Sequence, residues 1–434
     1  MPTLARPNAP ASTRLLPTRF ASALSAILAL ASVSASGSDS PIPSDDYAVL
    51  DAHPHNYWTR PLNDPFTKLK EDLDAGRVTI DQSNDIAFLH DLLAKLDIPV
   101  SSQLLVFSTT SLQLRFISPR NPRAIYFNED VYVGFIPGGR IEVVSIDPEA
   151  GGIFYIFDIP RDRSPPVVER SNRCMNCHAD SDTGDVPGIV LKSVVPGRTG
   201  GSLDAFRRNE TGHAIPLEQR FGGWHLTGNH NIPKHWGNLI GRFSDGELLT
   251  QTLEPGSQFN WSNYPVATSD ILPHLLLEHQ TGFVNRAIEA HYRARTYLHE
   301  GNGRLSPEHA KEMDRQARLL TRYLLFADET RLPKAGIEGD PAYIEQFLAS
   351  RRPDSEDQSL KDLDLNDRLF KYRCSYMIYS AAFQGLPDGF RHQVYRRLQE
   401  ALDTDSPDPD YRYLPNAEKK AIAKILRETL PDFP

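Results

Sequence analysis

Apolar and polar positions change their period along this chain, and each change marks a different architecture. Between Phe66 and Leu96 apolar residues recur at steps of three and four, as at Ile86, Leu89, Leu92, Leu93 and Leu96, which predicts one or two amphipathic helices. From Gln103 to Asp158 the pattern shortens to β-branched and aromatic runs of strand length: Leu104–Phe107, Leu112–Ile117, Ala124–Phe127, Val131–Phe135, Ile141–Ile146 and Ile153–Phe157. Pro137-Gly138-Gly139 and the Pro148 to Gly152 stretch are turns too short for crossover helices, so an antiparallel meander is expected.

After this meander, Ala179 to Pro187 is polar, Ile189 to Val195 reads as one more strand, and Pro196 to Glu210 is loop-like. The stretch Phe221 to His230, with His235-Trp236, is dense in Gly, Trp and His and has no clean period. From Ser269 onward the helical period returns. Ser269 is the expected cap of a helix whose inner stripe carries Leu272, Leu276, His279, Phe283, Ala287 and Ala290. Ser306-Pro307 and Asp340-Pro341 start two more helices, ending near Phe326 and Ser350, with proline at the first helical position. The acidic stretch Asp354 to Asp367 reads as a surface linker, followed by helices over Leu369–Phe383, His392–Leu402 and Asn416–Leu430. No internal repeat of solenoid length appears. The expected fold class is α+β: an antiparallel β-meander with flanking helices, then a mostly helical C-terminal half.

The first 35 residues differ from the rest. Arg6, Arg14 and Arg19 form a positive region, Phe20 to Val33 is apolar and small, and Val33-Ser34-Ala35 offers a small-x-small cleavage site, which reads as a signal peptide over 1–35. A Ser-, Pro- and Asp-rich lead-in follows over 36–63. The expected portions beyond it are 64–200 (α+β), 201–265 (irregular, Gly/Trp/His-rich) and 266–434 (helical). Removing 1–35 takes away three arginines and no acids, leaving 44 basic against 56 acidic residues and a formal charge of −12. Nucleic acid is therefore excluded as a natural partner, and a docking protein with a basic face is favoured. No second long apolar run follows, so no membrane span is expected in the mature chain, whose destination is the periplasm or another exported location.

The chemistry is concentrated in Cys174-Met175-Asn176-Cys177-His178, a C-x-x-C-H run that ends the Pro- and Arg-rich linker Ile159 to Arg173. Two thiols three positions apart can each form a thioether to one vinyl of a porphyrin, and the following histidine then reaches the iron as proximal ligand, which is the attachment signature of a c-type haem. A zinc site would need four ligands, yet the only other cysteine is Cys374. A thioredoxin-like C-x-x-C belongs at a strand-to-helix step, which this linker is not. A simple disulfide or a chance match are the other readings.

Candidates for the sixth iron position follow from what remains. Methionine is scarce: Met175 is inside the turn, Met313 lies among charged residues, and Met377 shares an apolar stripe with Phe370, Cys374 and Ala381. His230 is the first candidate, in the Gly/Trp-rich loop, and His279 the second, on an apolar helix stripe. Each also has a plain structural reading, His230 bonded to loop carbonyls and His279 as a core histidine. His213, His225 and His235 rank behind them. Arg198, Arg207 and Arg220 are candidate partners for haem propionates.

The succession Phe127-Asn128-Glu129-Asp130-Val131-Tyr132-Val133-Gly134, C-x-x-C-H, Asp185-Val186-Pro187-Gly188, Thr211-Gly212-His213, Phe221-Gly222-Gly223-Trp224, Leu277-Glu278-His279-Gln280 and Ser375 to Ser380 resembles a family of exported bacterial proteins described as cytochrome c domain-containing. The resemblance runs from about Ile117 to the C-terminus. It implies one covalent haem c, with Cys174 and Cys177 as attachment points and His178 as proximal ligand, and supplies no reaction. His225 stands where the pattern leads one to expect tyrosine, and Asn231 where it leads one to expect glycine.

Three functions are compatible with these residues. A mono-haem electron carrier working with a soluble redox partner needs only the covalent haem and non-methionine ligation, with a lowish potential. A haem-based sensor or small-ligand binder would keep its sixth position open, and the long chain after His178 exceeds what electron carriage requires. A haem peroxidase-like oxidoreductase would add a distal His and Arg.

Overall fold

In the computed structural model, residues 47–205 and 212–434 are described. The proposed signal and residues 36–46 of the lead-in lie outside them, as does Arg207. The described residues belong to one compact unit.

Two short helices come first, α1 (Pro65–Asp74) and α2 (Asp85–Lys95). Asp64 caps α1 through Oδ1, which accepts from Phe66 N at 3.1 Å and Thr67 N at 3.0 Å, and Pro65 gives up an amide that had no helical partner anyway. Asn84 caps α2 in the same way. A six-stranded sheet follows in strictly sequential antiparallel order: β1 (Leu104–Val106), β2 (Arg123–Phe127), β3 (Val131–Phe135), β4 (Ile141–Asp147), β5 (Gly151–Phe157) and β6 (Glu169–Arg170). The meander was legible, but its membership was not. Leu112–Ile117 is no strand: it turns through a 3₁₀ segment, Leu114–Phe116, between Ser111, whose Oγ accepts from Gln113 N, and Pro119. The sixth strand is Glu169–Arg170 instead, paired with Ile156 and Tyr155.

Alternation divides the sheet between two cores. Val131, Val133, Phe135, Val143, Ile153, Tyr155 and Phe157 join Phe66, Phe88, Leu89 and Leu92 of the two helices in one core. Phe127, Tyr132 and Ile146 belong to the other, which they share with the C-terminal helices.

The C-x-x-C-H run forms a single helical turn, α3 (Met175–His178), entered through a 3₁₀ turn at Asn172–Cys174. Two hairpins follow, β7 (Val194–Pro196) with β8 (Ser202–Ala205), and β9 (Leu239–Ser244) with β10 (Glu247–Thr252). The second runs through the stretch whose composition reads as irregular. The C-terminal half is organised on α4 (Ile271–Glu300), 30 residues long and buried on nearly every face, so the expected stripe is one sector of a core helix. Its cap is Asp270, whose Oδ2 accepts from Leu272 N at 3.1 Å, while Ser269 donates instead to the His225 carbonyl at 2.7 Å. Around it pack α5 (Pro307–Leu324), α6 (Pro341–Leu348), the single turn α7 (Ala381–Gln384), α8 (Asp388–Leu402) and α9 (Asn416–Thr429). Leu369–Phe383 is not a continuous helix. The Ser375 and Ser380 side chains take up the amides of Met377 and Phe383 and break it into a 3₁₀ turn and α7. The acidic stretch before it is packed rather than floating: Ser359, Leu360 and Lys361 are buried, and Leu363 bridges to Phe370. No helix among the described residues is long and apolar enough to cross a membrane.

Burial holds the rings of His274, His279 and His291 neutral, with pKa pushed down to about 3. Unfolding returns each to roughly 6.5, so below that pH the unfolded chain binds protons the folded one refuses, and stability falls as pH falls. Asp130 and Asp270, raised to about 6 by burial, and Glu329, raised to about 7, act in the opposite sense but are outnumbered, since His55, His225 and His235 are also held down to about 4 by burial. Denaturant unfolding at pH 7, 5.5 and 4 is expected to give steadily lower midpoints.

Candidate functional site

Cys174, Cys177 and His178 are brought together by the 3₁₀ turn Asn172–Cys174 and the single turn of α3 that follows it, with Met175 between them packed against the core that holds α1 and α2. Both cysteines are free thiols, Cys174 half-buried and Cys177 exposed. Burial raises the Cys174 thiol pKa above its ordinary value. The His178 ring packs on Phe154 of β5, with ring centroids 4.6 Å apart. Its Nδ1 lies 3.0 Å from the Gly188 carbonyl. A carbonyl only accepts, so Nδ1 carries the proton and Nε2 keeps its lone pair. Burial also lowers the His178 pKa, favouring that neutral ring. Nε2 has no hydrogen-bond partner among the described residues and is not one of the sealed polar atoms.

The carbonyl that orients His178 is itself clamped. Gly188 N donates back to the His178 carbonyl at 2.8 Å. One residue on, Asn285 of α4 holds Ile189 as a strand would: Oδ1 accepts from Ile189 N at 2.8 Å and Nδ2 donates to Ile189 O at 2.9 Å. Pro187 O accepts from Gly152 N of β5 at 2.8 Å. Gly151, at φ 78°, has no room for a side chain either, since a Cβ there would meet Ile288 Cγ2 at 2.9 Å. The loop Asp185–Ile189 is thus pinned between β5 and α4, and it fixes the histidine of the motif.

A cleft of about 550 Å³ starts at Ser171 and Arg173, the residues leading into Cys174. Leu112, Leu114, Phe116 and Ile156 give it apolar surface, and Arg115, Arg140 and Arg173 give it cations. Its size is in the rough 300–1,000 Å³ range of cofactor pockets. Leu112 and Leu114 are 40% and 55% exposed, apolar area left open beside the motif. Among the described residues no group of three or more His, Cys, Asp or Glu could hold a bare metal ion. A porphyrin brings four nitrogens of its own and asks for one axial ligand, and the open Nε2 of His178 is such a ligand. The two thiols and the histidine fit the demands of a haem, and the cleft adjoins them through Ser171 and Arg173 without being lined by any of the three.

The distal candidates stand elsewhere. His279 is wholly buried, with Nε2 2.7 Å from Ser375 Oγ and Nδ1 2.8 Å from His213 Nδ1, while His213 Nε2 faces the Ala327 carbonyl at 3.4 Å. The proton order follows from that carbonyl: His213 Nε2–H donates to it, His279 Nδ1–H donates to His213, and the Ser375 hydroxyl donates to His279. Both His279 nitrogens are consumed, so it is a core residue stacked on Tyr323 and Phe326 and has none left for iron. Replacing it with leucine is expected to cost about 3 kcal/mol by stranding the His213 and Ser375 partners, while the spectrum of any haem-loaded protein stays unchanged. Chemical denaturation and an absorption spectrum check the two halves of that statement.

His230 accepts from Ile232 N at 3.1 Å through Nδ1 and meets His235 edge-on at 4.8 Å. Its neighbours Asn229 and Asn231 bond the 336–338 backbone, and it does not line the cleft. His225 is buried between Phe107 and Phe259. Among the arginines singled out for propionates, Arg220 is buried and consumed by the Ile215 and His213 carbonyls and by Glu278, and Arg198 is exposed outside the cleft lining. The arginines beside the motif are Arg115, Arg140 and Arg173. Met313 and Met377 are buried in the C-terminal core, as is the Cys374 thiol, whose pKa burial raises.

Comparison of the chain with family models, with curated proteins and with solved structures gave no match. The functional reading therefore rests on the residues themselves.

Proposed function

We propose that this protein is an exported mono-haem c-type cytochrome that carries electrons. The supporting observation is the turn itself: two unpaired thiols and a histidine whose Nδ1 is tied to a backbone carbonyl, leaving Nε2 open. Cys174 and Cys177 would carry the thioethers, His178 Nε2 would be the proximal ligand, and Leu112, Leu114, Phe116 and Ile156 would shield the ring. Haem, once bound, supplies one-electron chemistry at its iron. The chain's own part is to hold that centre still. The Gly188 carbonyl fixes the His178 tautomer and strengthens it as a ligand, and Phe154 keeps water from one side of the imidazole. The acidic surface fits a soluble redox partner with a basic face, and the N-terminal pattern fits export to the periplasm.

A second reading, a small-ligand binder with an open sixth position, is favoured by two observations: His279 has no free nitrogen, and the cleft lining contains no His, Met, Lys or Cys. Potentiometric titration followed by carbon monoxide on the reduced protein separates the two. A reversible one-electron wave with a spectrum indifferent to the gas supports the carrier. Rapid gas binding supports the ligand site. Absence of any redox-active haem would sink both.

A further inference from the structure

We propose that Arg115 and Arg173 are the binding site for the two propionate carboxylates of the haem, a site that rests on the reading of Cys174, Cys177 and His178 as its attachment turn. Both arginines line the cleft beside that turn, and they approach it from different segments: Arg115 from the 3₁₀ turn Leu114–Phe116, Arg173 from the 3₁₀ turn that delivers Cys174. Neither has an ion-pair partner among the described residues. Arg115 only stacks on Phe116, its guanidinium carbon 4.7 Å from the ring centroid.

The remaining charges of the lining are accounted for. Asp158 and Glu169 lie 3.4 and 3.7 Å from Arg140, so the two carboxylates already in the cleft fall to the third arginine. Arg140 is in turn fixed by Gln113, whose Oε1 accepts from Arg140 N at 2.7 Å and whose Nε2 donates to Arg140 O at 3.0 Å. Gln113 Nε2 also donates to Glu142 at 3.0 Å, and Glu142 pairs with Arg123 at 2.8 Å. The wall is thus locked by its own pairs, and two guanidiniums are left without anions in a chain with an excess of acids. Guanidinium is the side chain suited to a planar carboxylate, through two parallel N–H donors. The ligand chemistry called for is two carboxylates on an apolar plate, which is what a haem presents once thioether-bound.

The test compares the haem-loaded wild-type protein with Arg115→Gln, Arg173→Gln, the double variant, and Arg163→Gln as an exposed control that does not line the cleft. Covalent haem is quantified by the pyridine haemochrome spectrum and the midpoint potential by redox titration. Each cleft variant should retain covalent haem yet show a lower potential, since unscreened propionates favour the ferric state. The double variant should fall further, Arg163→Gln should match wild type, and Arg→Lys at both sites should recover most of the shift. A fully loaded double variant with the wild-type potential, or an equal shift in Arg163→Gln, would overturn the assignment. Wild-type protein without covalent haem would instead overturn the parent reading, and this site with it.

Discussion

Replacing Cys174 and Cys177 together by serine is expected to abolish covalent haem while leaving a folded protein. Neither thiol is in a disulfide, one is exposed, the other bonds only the Ser171 side chain, which a serine hydroxyl can also reach, and the turn that bears them is held by backbone bonds from Gly188 N to His178 O and from Ser171 N to Phe154 O. Serine is close in size, so the core should not notice. The loss is chemical, because a hydroxyl does not add to a vinyl group as a thiol does. Each single variant should keep one thioether and a reduced yield. His178→Ala has a different signature: both thioethers remain, but the proximal ligand is gone and the iron should turn high-spin. In-gel haem staining after denaturation, with circular dichroism as the control for folding, checks all four variants. A double serine variant that still carried haem after denaturation would contradict the assignment.

The second large effect is expected at Gly188. A Cβ there would stand 2.5 Å from Asn285 Oδ1 and 2.9 Å from Thr183 Cβ, both held by their own hydrogen bonds, so neither can simply step aside. Gly188→Ala should therefore destabilise by about 2 kcal/mol through overpacking. It should also move the carbonyl that fixes His178 Nδ1, so the loaded protein should show weakened proximal ligation in its absorption spectrum. Asn285→Ala removes the two bonds to Ile189 without adding bulk. It should cost about 2 kcal/mol at unchanged haem content, which separates loss of stability from displacement of the histidine. Denaturant melts and spectra of both variants measure the two effects independently.

How much of this was legible in the sequence depends on range. The helices α1 and α2, the antiparallel meander and the Pro-initiated α5 and α6 follow from period and caps, which are local. Leu112–Ile117 has strand composition, but Ser111 and Gln113 bond backbone and side chains nearby and turn it into the wall of the cleft. Leu369–Phe383 has helical spacing, yet serine hydroxyls at both breaks outcompete the helix for its amides. The α+β class survived both errors because neither changes which elements pack together.

At the candidate site, Cys174, Cys177 and His178 were legible because the spacing itself is the chemistry. The supporting residues were not. Asn285 meets Ile189 across 96 positions, and His279 meets Ser375 across another 96. No local signal tells a core histidine with both nitrogens bonded from one with a nitrogen to spare. Arg115 and Arg173 escaped notice for the same reason: the cleft that makes them neighbours exists only once β6 has paired with β5.

The central claim is a haem bound through Cys174 and Cys177 with His178 on its iron. Intact-mass spectrometry of the purified exported protein under denaturing conditions, read beside its reduced absorption spectrum, tests it most directly. The account predicts a chain that begins after the signal and is heavier by one haem, with the sharp reduced bands of a c-type chromophore. A chain at its bare polypeptide mass, or with Cys174 and Cys177 oxidised to a disulfide and no visible absorption, would contradict it.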